Sequence, residues 1–366
     1  MRANVHRFII ADPGDVGGLA DAIAAGAINP ARIVAVIGKT HGNGLVNDYT
    51  REHLALALSS LIAECAGSTR EAVKARIAFI FSGGVEGVLT PHFTVITIDE
   101  SQPNLPSTER ALAVGVAFSQ PLAATDIGRE RQIAATAETV GRAIAQAKLS
   151  SHADVHFVQV KCPAFPIAEL QLSGPGAPLT DSPGKLMAFG RAASALGVAR
   201  ALKEWPHERL GEAAVLRDFD MFSSVASVSA GIGIGALEVV VLGMSEHWSG
   251  RLAVDHEILV DALDLDAFKK VSERLGLSSD SNLRRSKLMA AFVKCEADRH
   301  GTIRGRPHTM LNDGDIDQQR HIRCAVGAIA SAALDDTALF VSGGAEQQGP
   351  DGGGLVAVIV ERANGG

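Results

Sequence analysis

Three lysines, three arginines and three serines recur in one fixed order along this chain. Lys39, Arg51 and Ser82 come first, Lys161, Arg191 and Ser229 second, and Lys294, Arg323 and Ser342 third. The chemistry that joins these residue types is nucleophilic acyl transfer. Serine is a weak nucleophile until a base takes its proton, and a neutral lysine is such a base. A free lysine titrates near ~10.4, so burial or neighbouring positive charge must depress it first. Three lysines and three arginines converging on one centre supply that charge. Gly83, Gly84, Gly343 and Gly344 let the backbone approach a ligand closely. Peptide N–H groups beside each serine suit an oxyanion, and guanidinium forks suit carbonyls or an anion. Taken singly, each residue has an ordinary use as a solvated lysine, a surface ion pair or a turn. The ordered triple recurrence separates them from that background. No histidine recurs, since His41 after Lys39 has no counterpart, so a Ser-His-Asp triad lacks support.

The elements that must position these residues also recur. Apolar runs end on each lysine: "RIVAVIGK", "DVHFVQVK" and "LMAAFVK", the last two continuing as "KCPA" and "KCEA". Their length and β-branched content predict buried strands. Ala/Leu-rich segments carrying the arginines predict helices facing a core. A third set ends on serine: "ARIAFIFSGG", "FSSVASVSAGIG" and "TALFVSGG", each followed by a closing strand at 93–99, 237–243 and 354–361. The unit reads β–α–β(Lys)–α(Arg)–β(Ser)–β, repeated over 1–104, 110–249 and 251–366. Lys-to-Ser separations of 43, 68 and 48 residues place insertions in loops, notably "LSGPGAPLTDSPG" at 172–184. The expected fold is α/β, with three homologous units around a pseudo-threefold axis, strands inside as a barrel-like core and helices outside. In the second copy Ser223, Ser224 and Ser227 lie near Ser229, which leaves Ser227 and Ser229 both open as the equivalent serine.

The chain has 366 residues, 46% hydrophobic and 20% charged, which suits a globular protein with a core of small aliphatic side chains. A net charge of −7 argues against a nucleic-acid partner. No apolar run approaches a membrane span, and the N-terminus lacks a signal-peptide pattern. Cys65, Cys162, Cys295 and Cys324 show no CxxC spacing, so a reduced cytoplasmic setting without disulfides is expected. HExxH, EF-hand, Walker A and GxSxG patterns are absent. "GIGIGALE" at 231–238 lacks the strand–helix context of a dinucleotide loop.

With the Lys-Arg-Ser triplication in place, the whole chain resembles the cyanuric acid hydrolase/barbiturase family of cyclic amide hydrolases. The resemblance implies three similar domains around a central site and hydrolytic opening of a cyclic imide, without a catalytic cofactor. For a cyanuric acid hydrolase the product is carboxybiuret, which loses carbon dioxide to give biuret; for a barbiturase it is ureidomalonate. The implied roles are Lys161 as base and Ser229 as nucleophile. Lys39, Arg51, Ser82, Gly83, Arg191, Ala230, Lys294, Arg323, Ser342 and Gly343 would hold the substrate. The family also implies a structural Mg2+ or Ca2+ at Glu296, Ala345, Gln348, Gly349, Pro350 and Gly353, and a homotetramer. A non-catalytic receptor for small anions is the reading from a different class.

Overall fold

The computed structural model describes all residues except 102–108, 172–175, 278–279 and 363–366, and of residues 281 and 283 the backbone only. The insertion at 172–184 therefore falls partly outside the described residues. Residues 2–99 form strands β1 (Arg2–Ile9), β2 (Ile33–Thr40), β3 (Ala78–Gly83) and β4 (His92–Asp99), with helices α1 (Gly17–Ala24), α2 (Thr50–Cys65) and α3 (Arg70–Arg76). Residues 111–245 form β5 (Ala111–Pro121), β6 (Val155–Pro163), β7 (Ala226–Gly231) and β8 (Ala236–Ser245), with α4 (Glu130–Gln146), α5 (Ile167–Leu170) and α6 (Pro183–Leu202). The remainder forms β9 (Leu252–Leu259), β10 (Leu288–Cys295), a two-residue hairpin of β11 (Thr302–Ile303) and β12 (Arg306–Pro307), β13 (Phe340–Ser342) and β14 (Gly354–Glu361). Its helices are α7 (Leu265–Arg274), α8 (Ser281–Lys287) and α9 (Gln318–Leu334). We call these stretches units A, B and C.

Each unit builds one four-stranded sheet, and the three strand orders are the same: β1-β4-β2-β3, β5-β8-β6-β7 and β9-β14-β10-β13. In each, the lysine strand runs parallel to the serine strand and antiparallel to the closing strand. The expected element order is present, but the barrel is not. Each sheet ends in two edge strands, and no sheet closes on itself among the described residues. The three sheets instead turn one face each toward a shared apolar cluster that draws on all three units, where Phe157 stacks on Phe292 at 4.8 Å.

Alternation along the strands decides what reaches that centre. On β2, Ala35 and Ile37 join the shared cluster while Val36 packs under α2. Lys39 continues the inward series. On β3, Ala78 and Ile80 lead to Ser82 in the same way, while Phe79 and Phe81 face the helices.

Helices cover the other faces, with one exception to the expected outer layer. Helix α6 is capped by Ser182, has Pro183 in its first turn and ends at left-handed Lys203. It is enclosed on most of its circumference, because Leu210, Ala214, Val215 and Met221 fold over it. Its glycines and alanines permit this; a Cβ on Gly197 would stand 2.5 Å from the Cβ of Thr136 on α4. All four cysteines are free, and no helix among the described residues is long and apolar enough to cross a membrane.

Candidate active site

Parallel pairing sets each lysine directly beside its serine. The registered partners are Lys39 with Ser82, Lys161 with Ser229 and Lys294 with Ser342. The lysines are almost wholly removed from solvent, with 0%, 5% and 0% of their surface exposed. Lys39 Nζ donates to Ser82 Oγ at 3.1 Å and to the Gly83 carbonyl at 2.9 Å. Lys294 Nζ repeats this toward Ser342 Oγ (3.3 Å) and the Gly343 carbonyl (2.9 Å). Ser82 Oγ and Ser342 Oγ lie 3.2 Å apart.

Unit B breaks the pattern. Lys161 Nζ donates to the Phe81 carbonyl of unit A at 2.6 Å, and Ser229 Oγ, though buried, has no hydrogen-bond partner among the described residues. Backbone explains part of this. Gly84 and Gly344 adopt left-handed φ of +96° and +69°, turning the chain after Ser-Gly. The Ser229-Ala230-Gly231 segment stays extended to the end of β7. A Cβ on Gly231 would stand 2.5 Å from Lys161 Cε, so its absence lets the lysine lie across the strand end. Ser227 Oγ is also unpartnered, but Ser227 registers with Gln159 rather than with a lysine. Ser229 lines the central cavity with Arg51, Ser82, Arg191, Arg323 and Ser342.

The units interlock in cyclic order. Lys161 of B reaches the carbonyl before Ser82 of A, Lys294 of C reaches the Val228 carbonyl before Ser229 of B, and Lys39 of A lies 5.7 Å from the ring centre of Phe340 in C. Burial depresses all three lysines, and the guanidinium of the preceding unit depresses each further. For Lys161 these causes, with Arg51 as the cation, bring the value to about 7. The arginines are buried as well. Arg191 is forked by Glu346 at 2.7 and 2.5 Å, and Arg323 by Glu86 at 2.8 and 2.6 Å. Arg51 has no such fork; it donates to the carbonyls of Leu45 (2.8 Å), Asp48 (3.3 Å) and Ala230 (3.3 Å), with Asp48 Oδ2 3.8 Å away. The cavity among these residues is only about 20 Å3, room for about one water.

Every residue expected from the sequence to carry chemistry or hold substrate therefore meets at the carboxyl ends of the lysine and serine strands. Two that sequence reasoning left without a role belong there too: Glu86 and Glu346, each four residues after its serine. The recurrence "SGGVE" and "SGGAE" was the available signal.

The expected cation residues form one loop. Glu296, two residues beyond Lys294, accepts from the Ala345 N–H, and its own N–H donates to the Gly353 carbonyl at 3.1 Å. Burial and the nearby Glu346 carboxylate push its carboxyl well up. Gln348 N–H bonds the Ala345 carbonyl and Gly353 N–H the Pro350 carbonyl, both at 2.9 Å. The Gln348 side chain is committed elsewhere, to the Val228 N–H at 2.6 Å and the Gly344 carbonyl at 3.0 Å. A cavity of about 230 Å3 adjoins Glu296, Ala345, Glu346, Gly349, Pro350 and Asp351. Glu296, a carboxyl with no lysine or arginine ion pair of its own among the described residues, set among loop carbonyls, fits a hard divalent cation.

Comparison with known proteins gives one consistent result. Residues 4–361 match the family described as "Amidohydrolase ring-opening protein". A cyanuric acid amidohydrolase of Pseudomonas sp. (strain ADP) is 42% identical over 362 residues, 97% of this chain and 98% of that protein. Another, from Azorhizobium caulinodans, is 42% identical over 366 residues, 99% of each. A solved cyanuric acid hydrolase superposes with a TM-score of 0.93 at 40% identity, and the solved A. caulinodans enzyme with 0.91 at 41%, each covering 99% of both chains.

Proposed function

This chain belongs to the ring-opening amidohydrolase family, and from that premise we propose that it hydrolyses cyanuric acid to carboxybiuret, which then loses carbon dioxide to give biuret. Ser229 Oγ attacks a ring carbonyl carbon while Lys161 takes its proton. The C–N bond breaks, the leaving ring nitrogen receives the proton from the Lys161 ammonium, and water resolves the acyl-enzyme. One observation carries the choice of this pair: of the three registered lysine–serine couples, only that of Ser229 leaves a buried hydroxyl without a hydrogen-bond partner among the described residues. Ser82 and Ser342, bonded by their lysines, hold the ring together with Gly83, Gly343 and Ala230 and the three arginines.

A pseudo-threefold arrangement of units 1–104, 110–249 and 251–366 belongs to this reading, supported by the cyclic lysine contacts. It favours cyanuric acid, whose three edges are alike, over barbituric acid, which has one CH2 edge. A Mg2+ or Ca2+ held by Glu296 and the carbonyls of the 345–353 loop would stiffen the segment that follows Ser342. Assembly as a homotetramer is part of the proposal, and light scattering in solution reads it directly.

The test is turnover of both rings side by side. Ser229→Ala and Lys161→Met are expected to cut cyanuric acid turnover by at least about 1000-fold while circular dichroism is unchanged. Undiminished activity in either variant would refute the pair, and faster turnover of barbituric acid would reassign the substrate.

A further inference from the structure

The acids around the three arginines follow a rule that unit B breaks. Four residues after Ser82 and Ser342 stand Glu86 and Glu346, each forking the arginine of a neighbouring unit. Four residues after Ser229 stands Gly233, so Arg51 has no matching carboxylate. Unit B carries a different acid. Glu238 on β8 registers directly opposite Lys161. The corresponding positions are His92 opposite Lys39 and Leu355 opposite Lys294. Opposed residues on antiparallel strands project to one face with Cβ atoms ~5 Å apart.

Both side chains are fixed to the same strand of unit A. Glu238 Oε2 accepts from the Phe79 N–H at 2.9 Å, and Lys161 Nζ donates to the Phe81 carbonyl at 2.6 Å. A cavity of about 280 Å3 adjoins them on the side between units A and B, lined by Arg51, Glu52, Phe79, Phe81, Lys161 and Glu238 among others. The central cavity has Arg51 in common with it but neither Lys161 nor Glu238. The two side chains share this cavity, and no direct hydrogen bond or ion pair joins them among the described residues.

We infer that Glu238 is the third member of a Ser229–Lys161–Glu238 triad, the counter-charge that stabilises the Lys161 ammonium when it takes the serine proton. The inference rests on the proposed Ser229–Lys161 chemistry and explains why unit B alone bears an acid at this place. Its logic is that of any base oriented and balanced by a buried acid. Glu238 acts through Lys161 and is a positioning residue. Glu52 from α2 favours the Lys161 ammonium more strongly than Glu238 does, but only Glu238 is registered opposite the lysine; Arg51 from α2 and Lys74 from α3 also face the pair, with the Cys162 thiol beside Lys161 on β6.

Glu238→Gln tests this while keeping a carbonyl oxygen for the Phe79 N–H. Burial pushes the Glu238 carboxyl up to about 7, so its charge is present only on the upper part of the acid limb, and its loss should move that limb of kcat/KM against pH down by a few tenths of a unit. The plateau should fall about tenfold as the transition state loses its counter-charge, with KM little changed. Glu238→Asp should restore most of the plateau. A Glu238→Gln profile that superposes on the wild type overturns the triad. If that variant does not fold, Glu238→Asp is read instead: a limb shifted the same way by less supports the triad, and an unmoved limb overturns it. Ser229→Ala separates the two levels. If it stays active, the underlying serine assignment fails; if it is dead and Glu238→Gln is silent, only Glu238 fails.

Discussion

Lys161 is brought near neutrality by the loss of water around its ammonium and by the Arg51 guanidinium. A base works only when neutral, so kcat/KM should rise with pH through about 7 and level off above it. A profile flat from pH 5 to 9 would remove lysine from the mechanism. Arg51→Ala takes away like charge, so the same limb should move to higher pH while KM for the ring increases. The other two arginines should respond differently. Arg191→Ala or Arg323→Ala leaves Glu346 or Glu86 as a partly buried carboxylate without its fork, at a cost of about 1–3 kcal/mol. Urea denaturation should show that loss in both and much less in Arg51→Ala. The residue set was legible because Lys, Arg and Ser each recur with their element. Ser229 was not separable from Ser227 in sequence, since residues two apart on a strand share a face; only pairing register, with Lys161 against Gln159, separates them.

Among the elements, β7 differs from its counterparts in backbone more than in side chains. The Ser-Gly-Gly turns of β3 and β13 need left-handed glycines, whereas Ser-Ala-Gly continues as strand and leaves room for Lys161 over Gly231. Gly231→Ala should therefore reduce kcat by an order of magnitude or more, with unfolding shifted by less than about 1 kcal/mol, because a single methyl meets the end of a flexible side chain. Retained kcat would show that the lysine position is not critical. Strands and major helices could be read from alternation and composition, since one face of each strand meets the shared cluster and the other meets helices. Helix α3 and the burial of α6 could not. The cover over α6 comes from short turns at 207–216 and Met221, whose sequence has no period. A barrel was the wrong inference for a physical reason: apolar strands on two buried faces are equally required by three sheets around one cluster.

At the scale of the molecule, units A and C are joined by contacts besides those of the site. Arg7 on β1 donates to Asp336 Oδ2 at 2.5 Å and to the Ala338 carbonyl at 3.0 Å. Arg7→Ala should lower stability by about 1–3 kcal/mol, the usual worth of charge-assisted hydrogen bonds, and leave KM unchanged. Thermal unfolding followed at fixed pH measures it; an unaltered Tm would mean that this seam contributes nothing.

The cyclic order of the contacts also governs when the centre comes into being. Ser82 meets Ser342 at a sequence separation of 260, and Arg323 meets Glu86 at a separation of 237. The sheet of the N-terminal unit pairs Lys39 with Ser82 from its own strands, yet Phe340 and Ser342 must emerge from the ribosome before its half of the cavity has walls. Contacts of such separation form late, because a long loop must close before they repay it. The nascent chain therefore holds buried-type lysines at an exposed seam until the last sheet docks, and ring binding should appear abruptly with that sheet and not grow unit by unit.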